Sequence, residues 1–314
     1  MTSEQLEMLP GTVRSRGSAA RRRSDRRPPR PVASATGDLH RRTQVTVIEK
    51  RRGLQLLNWR ELVGYRDLFR FLVWREIKVR YAQSAVGIGW AVIQPLVSVL
   101  IFTLVFGRLA KVSSDGAPYA VFSLTALVPW LFFSNAMNDG VSCLITNAGM
   151  LRKIYFPRML MPLSAVTARL LDFAVASVVV VGVMVWYGIV PTWGILLLPA
   201  LLALMVAGAA GAALWLTALA VQYRDVKHAM GFITQILMYA APVVYPASLI
   251  PPRFQLLYAV NPMVGVIEGL RAVLLRTRDI PWSLLGVGTV SAVLLLVSGM
   301  LYFRNRERLF SDVA

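Results

Sequence analysis

Long apolar stretches, separated by short polar segments, dominate the chain from about residue 87 onward. Several of them reach the ~20 apolar residues that an α-helix needs to cross a bilayer. The pattern therefore predicts an all-α integral membrane protein with six transmembrane helices. Their predicted limits are 87–106, 119–139, 159–186, 193–221, 229–245 and 283–303, within a transmembrane domain over 83–305.

The segment before the first span has a different periodicity. Leu62, Tyr65, Phe69 and Leu72 recur near helical spacing, and charged residues lie between them. This pattern predicts an amphipathic helix over 60–82 that lies in the membrane interface. A helix packed on a soluble domain would show the same local pattern, but no soluble domain follows in this sequence.

A proline-rich stretch separates the fifth span from the sixth. It is too broken for one spanning helix and too apolar for a free loop. Because irregular backbone at membrane depth is tolerated only when it is buried in protein or lines a cavity, we predict a pair of short re-entrant helices near the outer face. The residues that interrupt this stretch are Pro246, Pro251, Pro252, Asn261 and Pro262.

Two pairs of ionisable residues lie within apolar segments, where a charge is by default a functional hypothesis. Glu268 and Arg271 are three residues apart, so they can neutralise each other on one helix face. Arg169 and Asp172 have the same spacing in the third span. For both pairs a structural ion pair is favoured over a substrate site.

The charge of the chain is concentrated near its start. The sequence of 314 residues has a formal net charge of +18 although 56% of its residues are hydrophobic. Residues 1–86 hold 19 of the 34 Lys and Arg, whereas only 18 charged residues of either sign lie between Gly87 and Phe303. The hydropathy excludes nucleic-acid binding as the meaning of this charge, and positive flanks instead indicate the cytoplasmic side of a membrane protein.

The orientation follows from this rule. Residues 1–52, rich in Arg and Pro, are predicted to be a disordered basic cytoplasmic tail, either solvated or attracted to anionic lipid headgroups. An even number of spans returns the second tail, 306–314, to the cytoplasm. Both termini of a multi-pass protein of the bacterial cytoplasmic membrane are therefore expected inside.

The connection over 141–158 combines polar residues with apolar ones such as Leu144, Leu151 and Phe156. A short helix across the cytoplasmic face, stopped by Pro157, would present these residues to a soluble partner. A loop that packs on its own bundle would show the same pattern. The residues alone leave both interpretations open.

Groups for enzymatic chemistry are scarce. None of the five lysines follows a glycine, so the Gly-Lys-Ser/Thr core of a phosphate-binding loop is missing. One cysteine and two histidines exclude a disulfide within the chain and make a zinc site of the usual kinds untenable. The sequence predicts no cofactor or metal bound by this chain and no ATP hydrolysis by it alone.

Several segments together resemble a known family, the integral-membrane permeases of ABC-2 type transporters that export O-antigen, teichoic acid and capsule polysaccharides. The similarity runs in consistent order from about residue 60 to 305. The matching segments are Tyr81–Pro95, Val128–Phe133, Asn147–Pro162, Tyr223–Val226, Gln235 with Pro242–Pro246, and Asn261–Met263 with Ile267–Gly269.

The resemblance implies a division of labour. Two permease copies would form the pore, and two separate ATPase subunits would bind ATP and Mg²⁺. The helix over 60–82 would be a gate helix beside the entry site, and the prolines named above would close the periplasmic side together with Asn261, Glu268 and Arg271. The coupling helix that docks into the ATPase would comprise Asn147, Met150, Leu151, Arg152, Lys153, Ile154, Tyr155 and Phe156.

The substrate implied by the resemblance is an undecaprenyl-diphosphate-linked glycan that enters from the inner leaflet. Aromatic faces suit a moving polymer because they stack on sugar rings without fixing one register. Candidates to line the pore are Trp90, Gln94, Ser98, Phe102 and Phe106. Arg75, Lys78 and Arg80 on the gate helix are candidates to meet the lipid diphosphate, although ordinary placement of positive charge inside explains them as well.

Two alternatives remain. An ABC-2 exporter of a drug or small lipid belongs to the same class. A membrane-embedded glycosyltransferase or polymerase belongs to another, but it should gather acidic or histidine residues in a loop, and this sequence lacks such a group.

Overall fold

The computed structural model describes residues 64–82, 84–151, 156–191, 193–276 and 278–307. The predicted tail over 1–52, residues 60–63 of the predicted gate helix and residues 308–314 lie outside this part of the chain. All described residues belong to one compact unit, Leu54–Ala314.

The described part of the chain is built from helices. In order they are α1 (Arg66–Tyr81), α2 (Trp90–Phe102), α3 (Tyr119–Thr146), α4 (Ala148–Leu151), α5 (Leu160–Trp186), α6 (Leu198–Gln222), α7 (Asp225–Tyr239), α8 (Pro252–Tyr258), α9 (Pro262–Leu275) and α10 (Trp282–Arg306). Short 3₁₀ segments lie at Gly87–Gly89, Trp193–Leu197 and Ala247–Leu249, and α2 continues as a π-helix over Thr103–Leu109.

The prediction of a helical membrane protein is confirmed. Within the described residues five helical segments are long and apolar enough to cross a membrane, and a sixth is added if the bent pair of α8 and α9 counts as one span. The five are Gly87–Leu109, Tyr119–Thr146, Leu160–Trp186, Trp193–Gln222 and Trp282–Arg306. They correspond to the predicted first, second, third, fourth and sixth spans.

The predicted fifth span, 229–245, is wrong at both ends. Its helix is α7, which has 15 residues and ends at Tyr239. Pro242 explains the early end, because proline disfavours helical backbone at the residue before it and has no N–H to donate. Residues 240–245 instead form turns, and Ala241, Val243 and Val244 are buried there. The chain at this depth is irregular but covered by protein.

Helix α3 forms the centre of the bundle. In its most apolar window 83% of the residues are buried, compared with 11% for the segment Gly87–Leu109, which leaves most of its surface uncovered. Helix α3 is also longer than the predicted 119–139, because its last turns bury Cys143 and Leu144 in a cluster that includes Leu72 of α1. The first span is therefore peripheral and the second is the core.

Two glycines allow α6 and α10 to touch through their backbones. A Cβ atom on Gly211 would lie 2.6 Å from the backbone nitrogen of Leu296, and one on Gly299 would lie 2.7 Å from the carbonyl oxygen of Gly211. Small residues at such crossings gain van der Waals contact in lipid, where hydrophobic burial drives association poorly. The α6–α10 contact thus depends on the absence of two side chains.

The bent pair of α8 and α9 turns by 111° at a short break. Each helix begins with proline at its first position, where the missing N–H costs nothing: Pro252 follows Pro251, and Pro262 follows Asn261. The Asn261 side chain accepts a hydrogen bond from the Met263 N–H at 3.1 Å and donates to the Ala240 carbonyl at 3.1 Å. The predicted pair of short helices is present.

A buried guanidinium holds the bent pair to the rest of the bundle. Arg271 is 1% exposed and pairs with Glu268 at 3.0 Å, as predicted from their spacing. It also donates to the carbonyl oxygens of Val243 (3.1 Å), Tyr245 (3.4 Å) and Phe122 (3.4 Å), and it lies over the Phe122 ring. Glu268 in turn accepts the N–H of Ala247 at 3.1 Å. One ion pair therefore joins α9, the 240–247 turns and the start of α3.

We expect Gly211→Val to destabilise the bundle, because the new side chain would collide with the backbone of α10. Overpacking of this kind costs about 1–3 kcal/mol. The melting temperature of the purified protein in detergent should fall by several degrees, since each kcal/mol moves it by roughly 2–4 °C. Gly182→Val is the matched control, because nothing lies within 4 Å of a Cβ there. Equal melting temperatures for the two variants would contradict the close contact.

We expect Arg271→Met to be more damaging, because it leaves the Glu268 carboxylate buried without its partner. Removing one member of a buried pair costs about 3–5 kcal/mol. Arg253→Met, at an exposed position on α8, is the control and should melt like the unaltered protein. Adding Glu268→Leu to Arg271→Met should recover part of the loss, since no charge is then left alone. The thermal melting of the three variants distinguishes an ion-pair clamp from simple loss of packing.

Candidate functional site

The last turn of α1 carries two side chains into the bundle. Arg80 and Tyr81 reach Asp172 of α5, and Arg80 also reaches Asp139 of α3. Tyr81 lies at the end of α1, and Leu72, about two and a half turns earlier, is fully buried. The apolar contact at Leu72 positions the helix, and the polar contacts fix its end.

Four charged groups form one network at this point, which we call the four-charge cluster: Arg80, Asp139, Arg169 and Asp172. Two nitrogens of Arg169 donate hydrogen bonds to Asp139 at 2.5 and 2.9 Å, and its third nitrogen donates to Asp172 at 2.9 Å. Arg80 contacts Asp139 at 2.6 Å and Asp172 at 3.4 Å. The four side chains are 17–25% exposed, so solvent screens them only in part.

The cluster is electrically balanced. Two guanidinium groups face two carboxylates, and the Tyr81 hydroxyl donates a further hydrogen bond to Asp172. Burial and this hydrogen bond together raise the pKa of Tyr81 to about 12, so its proton stays in place at physiological pH. The arrangement connects three helices and presents no excess charge.

A cavity of about 200 Å³ adjoins the cluster. The start of the first span contributes Trp90 and Gln94 to its wall, and α3 contributes Asn135. Arg80, Arg169 and Asp172 form the ion-paired side of the wall, together with the neutral Tyr81. The cavity therefore has an aromatic side, an amide side and an ion-paired side.

Arg75 connects α1 to the segment predicted to couple the protein to an ATPase. Its guanidinium donates to the Asn147 side-chain oxygen at 2.6 Å and approaches the Met150 sulfur at 3.1 Å. It also pairs with Glu76 at 3.1 Å. Asn147 is held from its other side, because its amide donates to the Cys143 carbonyl at 2.8 Å. The end of α3 is thus fastened to the middle of α1.

The predicted coupling helix is described only in part. Helix α4 covers Ala148–Leu151, whereas Arg152, Lys153, Ile154 and Tyr155 lie outside the described residues. The prediction that Phe156 is helical is wrong, because Pro157 follows it and disfavours helical backbone at that position. Phe156 is nevertheless 4% exposed and packs in the cluster that holds Leu72.

The remaining predicted site residues do not all lie at this cavity. Lys78 on α1 is exposed and lies over the Trp74 ring at 4.8 Å. Of the five predicted pore residues, Trp90 and Gln94 line the cavity, whereas Ser98, Phe102 and Phe106 lie farther along the span. Phe102 and Phe106 meet edge to face at 5.7 Å and pack on the main core. Of the candidate periplasmic residues, Glu268 and Arg271 form the buried ion pair described above. The others lie at the starts of short helices: Pro246 before the 3₁₀ turn Ala247–Leu249, Pro251 and Pro252 at α8, and Asn261 and Pro262 at α9.

Sequence reasoning missed Asp139 and Asn135. Asp139 carried a signal, since it is an ionisable residue at the end of an apolar span. Its partner Arg80 is 59 positions away in the chain, so no local spacing could reveal the pair. The local Arg169–Asp172 pair was predicted and is present, but it is half of a larger network. Asn135 has no such signal in the sequence, and only the fold places it on the cavity.

Among the described residues, no group of three or more His, Cys, Asp or Glu side chains is placed to hold a metal ion.

Comparisons with known proteins show which membrane proteins this chain is similar to. The chain is 29% identical to the O-antigen export system permease protein RfbA of Myxococcus xanthus over 258 residues, which are 81% of this chain and 98% of that protein. It is 27% identical to RfbA of Klebsiella pneumoniae over 256 residues, 80% of this chain and 96% of that one. The polysialic acid transport protein KpsM of Escherichia coli is 23% identical over 247 residues, 74% of this chain and 91% of KpsM.

The family model of the ABC-2 type transporter matches residues 67–275, from α1 to the end of α9, and the chain therefore belongs to the ABC-2 type transporter family.

Proposed function

We propose that this chain is the permease of an ATP-driven exporter that moves an undecaprenyl-diphosphate-linked glycan, of the O-antigen or teichoic-acid kind, out of the bacterial cytoplasm. Two copies would form the pore, and two separate ATPase subunits would bind ATP and Mg²⁺. Both termini would lie in the cytoplasm.

The observation that carries this proposal is similarity over most of the chain. The match to a permease named for O-antigen export covers 98% of that protein and 81% of this chain. Relatives named for polysialic acid transport and capsule polysaccharide export match 74% and 68% of this chain. Polysaccharide is the cargo common to these names, and this favours a glycan over a drug or a small lipid.

The contacts suggest how ATP-driven motion would reach the substrate. In this mechanism the ATPase moves the segment after α3, and Arg75 carries the displacement into α1 through Asn147 and Met150. At the end of α1 the four-charge cluster connects the helix to α3 and α5. The segment after α3 and the cavity beside the four-charge cluster would thereby be coupled through one helix.

The candidates for the lipid diphosphate differ in their availability. Arg80 is already shared between two carboxylates and Arg75 is engaged by Asn147, whereas Lys78 is exposed. A diphosphate at the membrane surface would meet Lys78 first, and charge-assisted contacts of this kind are strong.

The function is tested by removing the gene. Cells without the permease should accumulate a lipid-linked glycan on the cytoplasmic side, and the wild-type gene should restore its appearance at the surface. The accumulated material is extracted and its glycan and lipid parts are analysed by mass spectrometry. A gene carrying Gly182→Val, altered at an open position, should restore export as well. Accumulation of a drug or of a lipid without sugar would contradict the proposal, as would sugar transfer catalysed by the purified chain alone.

The coupling route is tested with Arg75→Gln. Loss of the charged contact to Asn147 should leave the ATPase of the reconstituted complex at half its activity or more, while glycan export per ATP hydrolysed falls by about tenfold, the effect of ~1.4 kcal/mol. Arg70→Gln on the same helix is the matched control, because that side chain is 78% exposed. Export and ATP hydrolysis are measured together in proteoliposomes. Unchanged export per ATP in Arg75→Gln would exclude this contact from the coupling route.

A further inference from the structure

The geometry of the cavity beside the four-charge cluster points to a binding subsite for one uncharged sugar ring. This inference rests on the proposed function and deepens it, because it names the part of the substrate that the cavity holds.

Unpartnered polar groups support a hydrogen-bonding ligand. The side-chain amides of Gln94 and Asn135 and the indole N–H of Trp90 line the cavity, and none of the three has a hydrogen-bond partner among the described residues. Amides offer both donors and acceptors, which is what neighbouring hydroxyl groups on a sugar ring require. Within the described part of the chain these groups remain unpaired at one place, where water or a polyol can satisfy them.

The aromatic wall supports a ring-shaped ligand. Trp90 is 55% exposed, so a large part of its face is available at the start of the first span. A sugar ring has an apolar C–H face that can lie on an indole while its hydroxyls turn toward the amides. An aromatic body with a polar N–H suits such a boundary between apolar and wet surroundings.

The four-charge cluster argues against an anion in this cavity. Each charged group in the cluster pairs with a group of opposite charge within 3.4 Å. The two arginines together make five hydrogen bonds to the two carboxylates. A phosphate would have to displace Asp139 or Asp172 and leave that carboxylate partly buried without a partner, which is costly. A neutral ligand can instead use the oxygens that remain available on the carboxylates.

The size of the cavity admits a ring-sized occupant. About 200 Å³ is many times the ~10–15 Å³ that one ordered water molecule requires. This is enough for a single sugar ring, and because the cavity is open on one side, the rest of the glycan would extend out of it. The subsite would therefore hold one unit of the glycan near the end of α1, while the lipid and its diphosphate stay outside.

Saturation-transfer NMR on the full permease–ATPase complex in nanodiscs tests the inference. The probes are methyl glycosides of glucose, mannose, galactose, rhamnose and N-acetylglucosamine, with inorganic pyrophosphate measured separately. At least one glycoside should bind, and Asn135→Ala should weaken it by about fivefold to tenfold through the loss of one to two hydrogen bonds. Trp90→Leu should weaken it similarly, and Trp90→Phe, which keeps a ring, should weaken it less.

Matched controls lie outside the cavity. Asn138→Ala changes an amide one turn along α3 whose donor is already used by the Ser134 carbonyl, and Trp186→Leu changes an indole that is 86% exposed on α5. Both should bind the glycoside like the unaltered protein. Gln94→Ala, at an exposed position, provides a third cavity variant should Asn135→Ala or Trp90→Leu fail to fold.

Three outcomes would overturn the subsite: no glycoside binds, binding is equal in cavity and control variants, or pyrophosphate displaces the glycoside from the cavity. These outcomes are separate from the test of export. A strain that exports its glycan normally with Asn135→Ala and Gln94→Ala would refute the subsite and leave the proposed function standing. Failure of the wild-type gene to restore export would refute the proposed function whatever the glycosides do.

Discussion

A membrane protein has no water inside the hydrocarbon to satisfy its polar groups, and this constraint shapes each unusual feature of the bundle. Helix α3 shows it most clearly, because charged groups are neutralised at both of its ends. Near its start Arg271 binds the Phe122 carbonyl, and near its end Asp139 is held by Arg80 and Arg169. At 1.5 Å per residue these points are about 25 Å apart along the helix, close to the thickness of a hydrocarbon core. Between them α3 carries no charged residue and is mostly buried.

The same constraint explains what could be read from the sequence. Apolar runs long enough to span a bilayer have few other uses, so the spans over α2, α3, α5, α6 and α10 were predictable. Prolines at 251, 252 and 262 revealed the broken region, because proline is favoured at the start of a helix and here recurs within a short stretch. The early end of α7 could also have been seen at Pro242, but the apolar run concealed it.

Contacts between distant parts of the chain could not be read in this way. The approach of Arg80 to Asp139 depends on how α1 lies across the ends of α3 and α5, and no periodicity within α1 encodes that placement. Two cavity residues, Trp90 and Gln94, were predicted from the resemblance to polysaccharide-export permeases. Asn135 was not, because its importance comes from its position opposite them across the cavity. Local spacing thus identified the Arg169–Asp172 pair, the resemblance added Trp90 and Gln94, and only the fold supplied Asp139 and Asn135.

The balance of charge in the two clusters has a consequence for the energetics of the membrane. The potential across a bacterial membrane does work on any net charge that moves through it, about 2.3 kcal/mol per elementary charge for each 100 mV. The four-charge cluster and the Glu268–Arg271 pair each sum to zero. If either group shifts as a unit when the helices move, the membrane voltage does no net work on it. A shift of either group would in that respect be independent of the electrical state of the cell.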